Sequence, residues 1–154
     1  MGFDNRTAHH MALLAMEQYG LAICALEHRL VPAASLRDLR AALRAERTPV
    51  WMAAKLALAT PELEQSWDLT SDSLAAWLAG QVGAKLIVLV KHGALFANAS
   101  DLESLVARGV VDPLFPRHMK AARATAVFLG PMDHESLGQT INSAASCAAL
   151  GRMR

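Results

Sequence analysis

The residues of this chain that could carry chemistry lie close together near its middle. Asp72 stands in a short polar segment, residues 70–73, directly before an apolar helical pattern that ends near Gly83. Lys91 follows residues 86–90, an unbroken run of leucine and β-branched residues. This order places an acid at the start of a helix and a lysine at the carboxyl end of the next strand, where open α/β sheets bind their ligands. The pair therefore indicates a ligand site.

The side chains around Asp72 favour a site for an anion. Thr70, Ser71 and Ser73 surround the acid with hydroxyl groups, and the free N–H groups at a helix N-terminus point toward a bound anion. Phosphoryl transfer depends mainly on positioning and charge neutralisation, so it needs an acid that orients lysines or Mg²⁺. The simpler alternatives are an ordinary N-terminal helix charge for Asp72 and a strand-end lysine that reaches into solvent for Lys91.

Other chemistries have less support in the sequence. His9 and His10 are adjacent, so on a helix they point about 100° apart and do not easily share a metal. The remaining histidines lack partners at zinc-ligand spacing, which leaves Mg²⁺ brought in by a nucleotide as the expected metal. No G-x-S-x-G segment frames a serine nucleophile. Trp67 is a candidate for lining a small-molecule pocket, whereas Trp51 and Trp77 are expected in the core.

Composition and charge limit the classes of protein to be considered. The chain has 154 residues, 53% of them hydrophobic and 19% charged, which predicts a folded domain and excludes a disordered one. Its net charge of +1 argues against partners such as nucleic acid or an anionic membrane. Cys24 and Cys147 lie in alanine-rich helical patterns and are expected as buried thiols. Without an apolar leader or a run of about 20 apolar residues, the sequence predicts a cytoplasmic, soluble protein.

The hydrophobic pattern predicts strands that alternate with helices. Helices are predicted over 7–27, 36–46 and 72–82, after a capping box at 100–103, around His118, and after Asp133. Strands are predicted over 30–31, 50–53, 85–90 and 125–129, with an irregular connection over 55–65. This alternation, without hairpin dipeptides, is typical of a parallel α/β sheet. No linker or repeat divides the chain, so a single domain over 1–154 is predicted.

Three segments resemble the amino-acid kinase family, which includes uridylate kinase, aspartokinase and acetylglutamate kinase. Residues 70–76 are similar to the Thr-Thr-Asp-Ser-x-Ala-Ala segment of bacterial uridylate kinases. Residues 88–96 resemble the strand and turn with which those enzymes carry a lysine and hold the nucleotide. Residues 7–11 are similar to the helix that borders the phosphate acceptor. Together with Trp67-Asp68 and residues 109–112, these segments most resemble the small kinases of methanofuran biosynthesis.

The resemblance implies a fold, an activity and a set of site residues. The fold would be a three-layer αβα sandwich with a mainly parallel sheet, and the activity ATP-dependent phosphorylation of a small molecule, such as an aminofuran phosphate. Asp72 would organise phosphoryl transfer, with ATP and Mg²⁺ as the cofactors. The other implied residues are His9, Trp67, Thr70 and Ser71 on the acceptor side, and Lys91, Gly93 and Phe96 beside the nucleotide.

The sequence also departs from the family's pattern. The glycine-rich loops that hold the transferring phosphate have no counterpart, and Gly93-Ala94 stands where the family has Asp-Gly. The resemblance therefore predicts a domain truncated at its amino end, with Met1 as an internal methionine, and weak kinase activity for this chain alone. The alternative is a non-catalytic nucleotide-binding or scaffold subunit that pairs with a complete kinase. In either case a homo-oligomer or a partner kinase subunit is expected.

Overall fold

The structure is a computed structural model, and it describes residues 2, 4–92, 101–130, 133, 137–139 and 141–142. By their contacts the residues form two compact units, with the boundary between Leu69 and Thr70. Each unit is described by itself. Both contain helices and a small parallel sheet, so the predicted α/β class is confirmed. The three-layer sandwich stays a prediction.

The first unit is built around a parallel strand–helix–strand motif. Its elements are α1 (Asn5–Leu26), β1 (Leu30–Ala33), α2 (Leu36–Arg44), β2 (Thr48–Trp51) and α3 (Ala54–Leu58). Strands β1 and β2 pair in parallel from Leu30 opposite Thr48 to Ala33 opposite Trp51. The crossover through α2 is the connection that a parallel pair requires. Ser35 caps α2, because its hydroxyl oxygen accepts the N–H of Asp38 at 3.1 Å.

Several element boundaries in the first unit differ from the sequence prediction; strand β1, for example, extends to Ala33 rather than ending at Val31. Strand β2 lies over Thr48–Trp51 rather than 50–53, since its register with β1 fixes the strand and the next helix begins at Ala54. That helix, α3, occupies part of the region predicted to be irregular. It has no cap from its own N-cap residue. Instead, Glu17 on α1 accepts the N–H of Ala54 at 2.8 Å, across 37 residues of sequence.

Removing the carboxylate of Glu17 is expected to weaken α3. In the Glu17→Ala variant the Ala54 N–H loses its partner, and the free energy of unfolding should fall by about 1 kcal/mol, as for the loss of a helix cap. Glu17→Gln keeps an acceptor oxygen at the same reach and should stay close to wild type. Chemical denaturation followed by circular dichroism measures both. An unchanged free energy of unfolding in Glu17→Ala would show that the cap contributes nothing, and equal losses for Ala and Gln would show that the charge of Glu17 matters rather than its acceptor oxygen.

The second unit carries Asp72 and Lys91. Its elements are α4 (Ser71–Val82), β3 (Leu86–Val90), α5 (Leu102–Ala107), α6 (Phe115–Ala122) and β4 (Thr125–Leu129). These bounds agree with the prediction to within a residue for α4, β3 and β4. Strands β3 and β4 pair in parallel from Leu86 opposite Thr125 to Val90 opposite Leu129. Gly83 ends α4 with a φ of +71°, the left-handed conformation that glycine adopts without steric cost.

A buried apolar cluster fixes the segment between α5 and α6. Phe115 is fully buried and meets Phe128 of β4 edge to face, with ring centroids 6.3 Å apart. Val110 and Val111 are buried in the same cluster, so the residue that follows them, Asp112, has little freedom to move. The buried members of the cluster are Ala76, Ala79, Ile87, Leu89, Leu105, Val110, Val111, Phe115 and Met119.

Surface exposure decides several further predictions. Trp77 is buried as expected, whereas Trp51 is only half-buried. Cys24 is a half-buried free thiol, and Cys147 lies outside the described residues. Among the helices that the structure describes, none is both long enough and apolar enough to cross a bilayer. Helix α1 exposes a set of large apolar side chains: Met11, Leu14, Met16, Tyr19, Leu21 and Leu26.

Candidate functional site

Asp72 and Lys91 form an ion pair in the second unit. The Lys91 Nζ donates to both carboxylate oxygens of Asp72, each at 2.7 Å. Asp72 is the second residue of α4, and Lys91 directly follows β3. Their side chains are 10% and 21% exposed, so the pair is largely buried. The structure thus brings together the two residues that the sequence placed at one edge of a sheet.

Regular secondary structure holds the backbone of both members of this pair. The N–H of Lys91 donates to the carbonyl oxygen of Leu129 at 2.8 Å, which extends the β3–β4 ladder by one residue. Lys91 is therefore held at the strand end and paired, rather than extended into solvent. Asp72 lies in the first turn of α4, where the helix dipole favours a negative charge. Charge-assisted hydrogen bonds of this length are among the stronger ones in proteins.

A second carboxylate, Asp112, lies behind the first turn of α4. Its Oδ2 accepts the Thr70 N–H at 2.9 Å, the Thr70 hydroxyl at 2.9 Å and the Ser73 N–H at 3.0 Å. Its Oδ1 accepts the Ser73 hydroxyl. Asp112 is buried. Thr70 is the N-cap of α4 and Ser73 its third residue, so these are the two amides that a capping box normally satisfies from within the helix.

The contacts of Asp112 correct one expectation from the sequence. The amides at the start of α4 were expected to be free for a bound anion, but those of Thr70 and Ser73 are already donated to Asp112. The hydroxyl groups of the same two residues are also donated to it. Ser71, in contrast, is exposed. An anion at this helix start would therefore meet Ser71 and the Asp72–Lys91 pair, and not the four donors that Asp112 takes.

Sequence reasoning missed the role of Asp112. Residues 112–113, Asp-Pro, indicate a turn, and nothing local connects them with a helix that starts 42 residues earlier. One signal in the sequence could have indicated this role. Asp112 directly follows Val110 and Val111, and two adjacent valines place the next residue beside an apolar core. A buried acid needs donors, and a hydroxyl-rich helix start supplies them.

The predicted acceptor-side residues His9 and Trp67 belong to the first unit. His9 is 5% exposed, and its Nδ1 lies 3.1 Å from the carbonyl oxygen of Ser66. Because a carbonyl only accepts, Nδ1 carries the proton in this contact, and Nε2 is the acceptor of the neutral ring. Trp67, the next residue after Ser66, is 55% exposed. The predicted nucleotide-side residues Gly93 and Phe96 lie outside the described residues.

A small cavity in the second unit lies between α4 and α6. Its volume is about 150 Å³, and neither Asp72 nor Lys91 lines it. Its lining residues are Ala76, Trp77, Gly80, Gln81, His118, Ala121 and Ala122. A ligand site for a small organic molecule usually measures about 300 Å³ or more. The cavity therefore adds little to the Asp72–Lys91 site.

Comparisons with known proteins do not assign a family. No protein-family model matches the chain, and no curated protein matches it. The resemblance to amino-acid kinases accordingly stays a prediction that rests on the sequence segments quoted above. The chemistry of the site has to be argued from the geometry of Asp72, Lys91 and Asp112.

Proposed function

We propose that this chain binds a nucleotide at the Asp72–Lys91 pair and takes part in ATP-dependent phosphorylation of a small molecule, as a phosphotransferase of amino-acid-kinase type. The observation that supports this is the placement of a largely buried lysine at the carboxyl end of a parallel strand, paired with an acid at a helix start. That edge is where α/β sheets bind ligands. A small phosphorylated or acidic metabolite, such as an aminofuran phosphate, is the proposed acceptor.

Lys91 would supply positive charge to a nucleotide phosphate. Both oxygens of Asp72 accept from its Nζ, so the ammonium is directed to this edge of the sheet. A phosphate that takes over part of this coordination would release one carboxylate oxygen of Asp72. Mg²⁺ in nucleotide sites is usually held by one or two carboxylates together with phosphate oxygens, and Asp72 fits this role. The ion would neutralise charge on the transferring phosphoryl group.

The acceptor side of the proposal is less constrained. Ser71 is exposed beside Asp72 and offers a hydroxyl group. Thr70 would act through its backbone and its contact with Asp112, since its hydroxyl is donated there. His9 and Trp67, which lie in the first unit, belong to the acceptor side by the resemblance alone, and the exposed ring of Trp67 would stack on a flat ligand. A cytoplasmic location and a homo-oligomeric state also belong to the proposal.

Replacing Lys91 is expected to weaken nucleotide binding. We expect calorimetric titration with Mg-ATP to give micromolar-to-millimolar binding for the wild type. For Lys91→Ala, affinity should fall by about tenfold or more, because the phosphates lose a charge-assisted contact of about 1.5–3 kcal/mol. Lys85 lies directly before β3 and is exposed. Lys85→Ala removes the same charge at the opposite end of the strand, so it is the matched control and should bind like wild type.

Two outcomes would contradict the proposal. Absence of both heat and thermal stabilisation for the wild type at millimolar Mg-ATP would exclude nucleotide binding by this chain. Equal weakening in the Lys91→Ala and Lys85→Ala variants would show a general charge effect and not a site. An Asp72→Asn variant, titrated in parallel, separates nucleotide binding by Lys91 from the orientation that its partner provides.

The alternative proposal is a non-catalytic nucleotide-binding or scaffold subunit that pairs with a complete kinase. Helix α1 exposes several large apolar side chains, and their burial against a partner protein would be favourable. Tyr19 and Leu26 are 72% and 88% exposed. Binding of Mg-ATP without any phosphoryl transfer, measured with the chain alone, would favour this alternative over the kinase.

A further inference from the structure

We propose that Asp112 is a positioning residue that sets the geometry of the Asp72–Lys91 pair. It touches neither member of the pair in any hydrogen bond described here, and it acts through the helix turn that carries Asp72. The functional meaning of this role rests on the proposed function, because the pair is the proposed nucleotide site. The positioning itself is a property of the protein alone and can be measured without a nucleotide.

The hydrogen bonds of Asp112 hold α4 on both sides of Asp72. In sequence, Asp72 lies between Thr70 and Ser73, and the backbone N–H of each is donated to the same oxygen of Asp112. Two amides that converge on one oxygen fix both the position and the orientation of the turn. The two hydroxyl groups add a contact at each end. Asp72 therefore projects from a turn whose backbone cannot rotate while these bonds persist.

Asp112 is itself held by a rigid surrounding. It follows the buried residues Val110 and Val111, and its carbonyl oxygen accepts the N–H of Phe115 at 3.1 Å, at the start of α6. Phe115 is fully buried. The carboxylate is thus attached to the core of the second unit and not to a free loop. Asp112 therefore holds the first turn of α4 at a fixed position relative to that core.

The lysine of the pair has a separate anchor. Lys91 is fixed by the β3–β4 ladder through its bond to Leu129. The distance of 2.7 Å from Nζ to each oxygen of Asp72 requires that the strand end and the helix start be placed independently and correctly. The ladder places one, and Asp112 places the other.

The hydroxyl group of Thr70 could cap α4 in place of Asp112, but such a cap would not hold Asp72 beside Lys91. Threonine at an N-cap usually accepts the N–H of the third helical residue with its own hydroxyl oxygen. Here Thr70 makes no such bond, and its hydroxyl donates to Asp112 instead. If Asp112 were removed, Thr70 could turn and cap Ser73 directly. The helix would then keep an N-terminus, but the turn that carries Asp72 would be free to shift away from Lys91.

The test is a comparison of how strongly Asp72 and Lys91 depend on each other with and without Asp112. Chemical unfolding of the wild type, Asp72→Asn, Lys91→Met and the double variant gives the coupling as a ratio of unfolding constants. The same four proteins are then made with Asp112→Ala. We expect the coupling ratio to fall about tenfold in that background and to be restored with Asp112→Asn. Asparagine can direct its oxygen to the two amides and its NH₂ group to the Ser73 hydroxyl, which can rotate to accept it.

The coupling separates positioning from general stabilisation. If Asp112 only stabilised the fold, Asp112→Ala would lower the overall stability and leave the coupling ratio unchanged, which would overturn the inference. If Asp112→Ala does not fold, Asp112→Ser serves as the milder variant, because its shorter side chain keeps a hydroxyl oxygen but withdraws the acceptor from the Thr70 and Ser73 amides. A reduced coupling ratio with Asp112→Ser supports the inference, and an unchanged ratio overturns it.

Mg-ATP titration of the same proteins distinguishes this inference from the proposed function. A coupling that depends on Asp112 in a protein that binds no Mg-ATP would support the positioning role and exclude the nucleotide site. Nucleotide binding that needs Lys91 but persists unchanged in Asp112→Ala, together with an unchanged coupling, would overturn the positioning role and leave the proposed function in place. If both hold, affinity should fall about tenfold in Asp112→Ala and recover in Asp112→Asn.

Discussion

The Asp112→Ala variant is expected to lose about 3 kcal/mol of the free energy of unfolding. The substitution leaves the N–H groups of Thr70 and Ser73 and both of their hydroxyl groups without the acceptor that now satisfies all four. A buried donor that loses its partner costs about 1–3 kcal/mol. The loss stays below the sum of four such terms, since the Thr70 hydroxyl can cap the Ser73 N–H and water can reach the remainder.

The matched control for this prediction is Asp112→Asn. It keeps the shape of the side chain and an oxygen for the two amides, so its loss should be clearly smaller than that of Asp112→Ala. Denaturant unfolding followed by circular dichroism gives both values from the shift in the midpoint at constant slope. A loss below about 1 kcal/mol for Asp112→Ala would mean that the four hydrogen bonds are replaced by others at little cost.

Removing Lys91 alone is expected to lower the free energy of unfolding, because it leaves the carboxylate of Asp72 unpaired. In Lys91→Met the carboxylate of Asp72, which is 10% exposed, loses the cation that neutralises it. Breaking a buried ion pair by removing one partner costs about 3–5 kcal/mol. Because Lys91 is 21% exposed and water can approach the site, we expect about 2–3 kcal/mol here.

The double variant Asp72→Asn with Lys91→Met should recover part of this loss. It contains no unpaired charge, so its free energy of unfolding should lie about 1–2 kcal/mol above the value expected from adding the two single losses. Lys85→Met, at the exposed position before β3, serves as the control for loss of a lysine and should change stability by less than about 0.5 kcal/mol. Strict additivity of the two single variants would show that the pair contributes nothing to the fold.

Local patterns were sufficient to predict much of this fold. Strand β4 lies over the residues predicted for it, and α4 and β3 begin within one residue of the predicted start. A continuous apolar run predicts a strand covered on both faces, but in β3 only Ile87 and Leu89 are buried and Val90 is 68% exposed. The caps Ser35 on α2 and Asp101 on α5 act on residues three positions further on, so their partners are close in sequence. The N-cap of α5 is Asp101, one residue after the start of the predicted capping box.

The same local reasoning placed the two members of the candidate site. Asp72 at a helix start and Lys91 at a strand end follow from the order of elements along the chain, and the rule that α/β ligands lie at that edge brings them together. The sequence could not give the 2.7 Å distance between Nζ and the carboxylate oxygens, nor the burial of the pair. Both depend on how α4 packs beside β3.

The tertiary structure alone decided which side chains cap α3 and α4, because the N-cap residues of these helices make no cap bond of their own. Helix α3 takes its cap from Glu17, and α4 takes its cap from Asp112, which lie 37 and 42 residues from the amides they accept. The sequence of residues 55–65 contains no signal for a helix start. The sequence of residues 70–73 contains hydroxyl groups that it predicts to be free for a ligand. A hydrogen bond acts over about 3 Å of space whatever the separation in sequence. Sequence therefore determined the elements and the candidate pair, whereas the fold determined which polar groups at the site are already taken.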